Sequence, residues 1–231
     1  YFFLGYVNET DVTIGEEGDA AGPHILGSVY GGGEDGHVRR GTNVTVLRGE
    51  IGIPYNAAYK AVFGDDRNSL HWLYRGNVYG GGSGIGTYTD ENDEEQHSSF
   101  AGSVTHTTNV TVRGGITGEA GTTDGGAYTP GNVIYRNVYG GGSLASVSPP
   151  LSDGFYPDDT QGEGKKSVNT VNISGTVGPL VGYDGSYGGN VYGGSRGEGN
   201  LNPASFSLSG WTQVFINHGA DRKSTRLNSS H

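Results

Sequence analysis

Five short stretches of the chain alternate apolar and polar positions with a period of two. They read "DVTIG" at 11–15, "NVTVLRGEIG" at 43–52, "NVTVRGGITG" at 109–118, "TVNISGTVG" at 170–178 and "QVFIN" at 213–217. The alternate positions are β-branched: Val12 and Ile14, Val44 and Val46, Val110 and Val112, Val171 and Ile173, Val214 and Ile216. Successive side chains of a strand point to opposite faces, so each stretch predicts a strand with one buried face. No long stretch carries apolar residues at helical spacing, and the expected class is all-β.

Between these strands a second motif recurs, as "GSVYGGGE" at 27–34, "GNVYGGGS" at 76–83, "RNVYGGGS" at 136–143 and "GNVYGGSR" at 189–196. Its tyrosines Tyr30, Tyr79, Tyr139 and Tyr192 are separated by 49, 60 and 53 residues. Aligned on the strands, each unit runs strand, glycine turn, an apolar rung (Ile51, Ile116 or Val177), a variable segment, then Asn-Val-Tyr and the glycines. Unequal periods fit one scaffold, because loop-closure entropy grows only logarithmically with length. The polar stretches "TYTDENDEEQHSS" (87–99) and "SPPLSDGFYPDDTQGEGKK" (148–166) read as surface insertions. "PYNAAYKAVFGDDRNSLHWLY" (54–74) is richer in apolar residues and predicts a short helix or an extra hairpin.

A unit with so few apolar residues buries its strand face only by stacking on its neighbours. The architecture expected is a repetitive parallel β-solenoid with long loop insertions, formed by residues 1–220 as one repeat-built domain. Equivalent strands would lie ~4.8 Å apart, with Asn77, Asn137 and Asn190 and the four tyrosines aligned in ladders. Gly31, Gly32, Gly80, Gly81, Gly140, Gly141, Gly193 and Gly194 would form corners where a side chain does not fit or φ is positive. The alternative is a set of kelch-like β-propeller blades, which also repeat at ~50 residues. Their spaced tryptophan has a counterpart here only in Trp211.

Composition narrows the functional classes. Glycine supplies 45 of 231 residues and tyrosine 15. The formal charge of −10 opposes nucleic acid or an anionic membrane as partner. Cysteine is absent, which excludes disulfides and thiolate chemistry. No apolar run reaches the ~18 residues of a membrane span. Methionine is also absent and "YFFLGYV" is not a signal peptide, so the chain is expected to be an internal fragment. "DRKSTRLNSSH" (221–231) matches a translated sequencing adapter and is expected to be a non-native tail. Without its three basic residues and one acid the charge becomes −12.

The alternation of "NVYGGG" with "NVTVRGGITG" and "TVNISGTVG" resembles the glycine-rich repeats of surface or adhesin-like proteins of gut bacteria. The resemblance covers roughly residues 11–217 and rests on repeat style. It implies a β-solenoid in a secreted, cell-surface protein and names no ligand; taken with the chain's aromatic residues, the expectation is a non-enzymatic module with glycans or host surface proteins as partners.

Candidate chemistry is sparse. "GGGEDG" (31–36) satisfies G-x-G-x-x-G, but a strand and no helix follows, so it reads as a structural corner. The acids Asp90, Asp93, Glu94 and Glu95 share one loop and are the first candidates for Ca²⁺, although their spacing fits no standard calcium loop. Otherwise no cofactor is expected. Asp65 with Asp66, or Asp158 with Asp159, are the carboxylates that an alternative reading, a β-helix polysaccharide lyase or glycoside hydrolase, would use. The histidines, His24, His37, His71, His97, His106 and His218, show no metal-ligand spacing. Tyr30, Tyr79, Tyr139 and Tyr192 either pack as a ladder or form an exposed row for sugar rings or a partner protein. Trp72, Tyr74 and Tyr135 lie just before the motif and would extend that row.

Overall fold

A computed structural model describes residues 5–16, 22–53, 60–62, 64, 75–84, 88–96, 101–113, 132–147, 168–178, 189–197, 211–216 and 226–228. The described residues are mostly strands. Only 60–62 are helical, a single turn within the insertion 54–74.

Three parallel sheets are built by strands the chain visits in rotation. The first holds β1 (Tyr6–Ile14), β4 (His37–Val46), β9 (Thr108–Val112), β12 (Val168–Ile173) and β15 (Trp211–Ile216), adjacent in that order. The second holds β2 (His24–Ile25), β5 (Gly49–Ile51), β10 (Asn132–Ile134) and β13 (Thr176–Val177). The third holds β3 (Val29–Tyr30), β6 (Val78–Tyr79), β11 (Val138–Tyr139), β14 (Asn190–Tyr192) and β16 (Arg226–Asn228). A two-stranded antiparallel hairpin, β7 (Tyr88–Thr89) with β8 (Glu95–Gln96), stands apart in the insertion after the second tyrosine motif. β16 lies within the stretch 221–231 and pairs with β14, Val191 opposite Leu227.

Register converts the sequence repeat into rungs. Val12, Val44, Val110, Val171 and Val214 align across the first sheet, as do Ile14, Val46, Val112, Ile173 and Ile216. Tyr30, Tyr79, Tyr139 and Tyr192 align across the third. The inward valines and isoleucines of all three sheets meet in one core. Because the strands of these three sheets pair with their counterparts in the next repeat and in parallel, the kelch-like alternative fails: a blade pairs neighbouring strands antiparallel.

Two expectations are corrected. The second-sheet partner of Ile51 and Val177 is Ile134, not Ile116. Residue 116 lies outside the described residues, and the length difference in that unit falls before β10 rather than after it. The connections from tyrosine motif to strand are also more than surface loops. Val38, Val104 and Val147, each 1% exposed or less, pair in parallel and form a second small core. Around them Ser83 N–H donates to Gly33 O and Ser143 N–H to Gly82 O, so these connections stack too.

Candidate functional site

At each tyrosine motif the chain turns from the third sheet back toward the first. Ring centroids of Tyr30–Tyr79, Tyr79–Tyr139 and Tyr139–Tyr192 lie 4.9, 4.9 and 4.8 Å apart, with planes within 10° of parallel. Tyr79 is 0% exposed and Tyr139 7%; Tyr30 and Tyr192, at the ends, are half-buried. The exposed-row reading is thereby corrected for the interior members, since both faces of the Tyr79 and Tyr139 rings are covered by neighbouring rings. Burial, and then the neighbouring Tyr139, raises the Tyr79 hydroxyl far above its ordinary value. Burial, and then Tyr192, pushes Tyr139 up to about 12. Arg136 sits buried beside these hydroxyls, and desolvation lowers its pKa while Tyr139 and Tyr79 oppose that shift.

The asparagines before the valine form a second ladder. Asn137 N–H donates to Asn77 Oδ1 at 3.3 Å, and Asn190 donates to Asn137 Oδ1 from both N–H and Nδ2, each at 3.1 Å. Ser28 takes the asparagine's place at the first repeat, its Oγ accepting from Asn77 N–H at 3.0 Å. This satisfies buried amides that the short third-sheet strands leave over.

The glycines are demanded by contact. A methyl group on Gly31, Gly80 or Gly140 would overlap the carbonyl oxygen of the glycine one repeat on, respectively Gly80, Gly140 or Gly193. One on Gly32 or Gly81 would meet the Gly82 or Gly142 nitrogen at 2.8 or 2.7 Å, and one on Gly141 the Ser195 nitrogen at 2.7 Å. None of Gly31, Gly80, Gly140 and Gly193 has a positive φ, so of the two reasons expected for these glycines, space is the one that applies. The closeness is held by threonines not singled out in the sequence. Thr10 and Thr42 donate from Oγ1 to Gly31 O and Gly80 O, each at 2.5 Å, and Thr108 donates to Gly140 O.

Outside the core, three groups present chemistry. On the second sheet, Glu50 Oε2 accepts from Tyr135 Oη at 3.0 Å and pairs with His24 Nε2 at 3.1 Å, joining three repeats. Burial, then the hydrogen bond to Glu50, raises the Tyr135 pKa. Tyr135 therefore anchors Glu50 and does not continue the tyrosine row. The acidic loop is a tight turn between β7 and β8: Asp90 Oδ1 accepts from Asn92 N–H and Glu94 N–H at 2.9 and 3.1 Å, and Asp93 adopts φ 61°. The turn thus uses the Asp90 carboxylate to cap its own backbone. Among the described residues no three His, Asp or Glu side chains gather as a metal site.

The third group lines a groove of about 460 Å³ on the outer side of the first sheet, at the β1–β4 irregularity between Val7 and Glu9. Its walls are Glu9, Arg40, Gly41, Thr42, Asn43, His106 and Thr107. Glu9 Oε1 and Arg40 Nη1 are 3.6 Å apart, and both side chains are exposed. An exposed guanidinium, carboxylate and amide with a half-buried imidazole in one groove can bind polyhydroxylated or charged ligands through hydrogen bonds.

Trp72 and Tyr74 lie outside the described residues, as do Asp65, Asp66, Asp158 and Asp159. Asp93 and Glu94 are exposed, and of Glu95 only the backbone is described. No helix among the described residues is long and apolar enough to cross a membrane. Comparisons with protein-family models, with curated proteins and with solved structures find no match.

Proposed function

We propose that the chain is a β-solenoid module of a secreted bacterial cell-surface protein, non-enzymatic, that extends from the surface and presents its insertions and outer groove to glycans or host proteins. The observation that carries this reading is the rotation of the chain through three sheets, with Thr, Val, Asn, Tyr and Gly rungs in constant register. That arrangement commits the repeated residues to packing and leaves recognition to what is not repeated. The insertions leave and rejoin the rungs at several corners: between Ile53 and Arg75, Gly84 and Ala101, Arg113 and Asn132, and Val147 and Val168. The groove at Arg40 and His106 adds polar groups that suit sugars. The likeness of the repeats to adhesin-like proteins of gut bacteria supports the surface location.

The test is binding of the purified, folded chain to glycan and host-matrix arrays. The expected result is retention of a defined ligand class, weakened by Arg40→Ala or by replacing an insertion with a short glycine-serine link. A folded chain that binds nothing would reduce the function to a passive stalk. Polysaccharide cleavage lost on replacing Asp65/Asp66 or Asp158/Asp159 would make it an enzyme.

A further inference from the structure

Two departures from the tyrosine motif, in neighbouring repeats, bring cations to the ladder. Gly76 N–H donates to Gly27 O, Arg136 N–H to Gly76 O and Gly189 N–H to Arg136 O, so Arg136 stands in a row that is otherwise glycine. Gly197 N–H donates to Ser143 O as Leu144 N–H does to Ser83 O, which puts Arg196 in the row of those two serines. Arg136 is 6% exposed and Arg196 half-buried.

The two arginines reach the tyrosine hydroxyls from opposite ends of the motif. Asn137 Nδ2 donates to Tyr139 Oη at 3.2 Å, so that hydroxyl folds back toward Arg136. Burial raises the pKa of Tyr79 and Tyr139, and in each the cation that most opposes this is Arg196. Desolvation lowers the Arg136 pKa, Tyr139 and Tyr79 oppose the shift, and Arg196 adds to it by like-charge repulsion. Two hydroxyls of the cluster are left over. Tyr79 Oη and Ser143 Oγ, on residues 0% and 1% exposed, make no hydrogen bond among the described residues. Ser143 stands near enough to favour the ionised form of Tyr79, yet the two hydroxyls do not reach hydrogen-bond geometry.

A buried hydroxyl without a partner is costly, and so are two guanidiniums close together, because arginine keeps its charge. The tyrosines, protonated at neutral pH, offer O–H donors and no counter-charge. We propose that the cluster holds one small inorganic anion, chloride, between the Arg136 and Arg196 guanidiniums, with Tyr79 Oη and Ser143 Oγ donating to it. Tyr79, Asn137, Tyr139, Ser143 and Arg136 are each at most 7% exposed, which closes the site to a sugar and leaves half-buried Arg196 as its entrance. A monatomic anion accepts from every side, whereas a water must place two protons of its own among these donors. The ion joins three successive repeats.

Chlorine NMR of the full chain in sodium chloride tests this, since exchange with a protein site broadens the chloride line. Broadening is expected with the unmodified chain. Arg196→Gln should weaken chloride binding about tenfold or more and remove the broadening. Arg39→Gln, which alters an exposed guanidinium of β4, should keep it. A second measurement needs no variant: the urea midpoint at fixed ionic strength as sodium gluconate is replaced by sodium chloride. A ligand that binds only the folded chain raises that midpoint, so it should climb with chloride. A midpoint no higher in chloride overturns the proposal. So does a climb of equal size in Arg196→Gln, or broadening that Arg39→Gln removes and Arg196→Gln leaves.

Discussion

The two faces of the first sheet are made by the same five strands and obey opposite rules. On the inner face the rungs barely vary: threonine at four of five positions in one row, valine at all five in the next, isoleucine or valine in the third. On the outer face one row reads Asp11, Asn43, Asn109, Thr170, Gln213 and another Thr13, Thr45, Thr111, Asn172, Phe215. Strand pairing is common to both faces, so it does not explain the contrast. Confinement does: inside, a side chain meets its own counterpart one repeat away and must match it in size, whereas outside it meets water. Repetition in this chain therefore marks packing, and departures from repetition mark the surface open to recognition.

The sharpest break in that contrast comes from adding one methyl group inside. Gly140→Ala drives a Cβ against Gly193 O and to within 3.0 Å of Val171 Cγ2, both held by the adjacent repeat. The expected loss is about 3 kcal/mol, the upper end of the usual cost of overpacking. Gly27→Ala adds the same methyl where nothing lies within 4 Å and φ is not positive. It should leave stability within about 0.5 kcal/mol. Urea denaturation of the two variants measures the difference, and equal losses would refute the packing account of the corner.

How much of this was legible follows from the same contrast. The first-sheet strands and the tyrosine and asparagine ladders could be read because each residue type returns at an equivalent place. Ile116 misled because alignment by residue type favoured the apolar residue after the glycine turn, while the paired residue, Ile134, comes after an insertion. Val38, Val104 and Val147 escaped notice because no period-two alternation and no repeated motif marks them: Val38 stands among charged residues, and Val104 and Val147 stand in glycine- and serine-bearing stretches. Thr42 and Thr108 look like ordinary strand residues, and their grip on the glycine carbonyls depends on a corner that forms elsewhere in the chain. The Glu50–Tyr135 bond joins residues 85 positions apart and becomes visible only once the repeats are stacked.

A second break uses alkali. An unfolded tyrosine loses its proton near 10, whereas burial holds the proton of Tyr139 up to about 12 and that of Tyr79 higher still. Above about pH 10 the unfolded chain therefore binds fewer protons than the folded one. The ladder's contribution is complete below that pH and falls as pH rises toward 12. The urea midpoint should drop between about pH 8 and pH 11, and Tyr139→Phe should make the drop shallower. A midpoint with no alkaline fall would mean that these hydroxyls titrate as if in water.

The smallest effects belong to a matched pair of asparagines, one on each side of the wall. Asn137 is 5% exposed, and its Oδ1 accepts from both Asn190 N–H and Asn190 Nδ2. Asn137→Ala leaves two donors in the ladder without that acceptor, at a cost of about 1–3 kcal/mol. Asn43 also takes part in a ladder, donating to Asp11 at 2.8 Å and accepting from Asn109 at 3.5 Å, but in water. There the freed groups turn to solvent, and Asn43→Ala should cost less than about 0.5 kcal/mol. Chemical denaturation of both variants gives the ratio. If the two losses were alike, hydrogen bonding along a row would set the cost by itself, and the protected interior would add nothing to it.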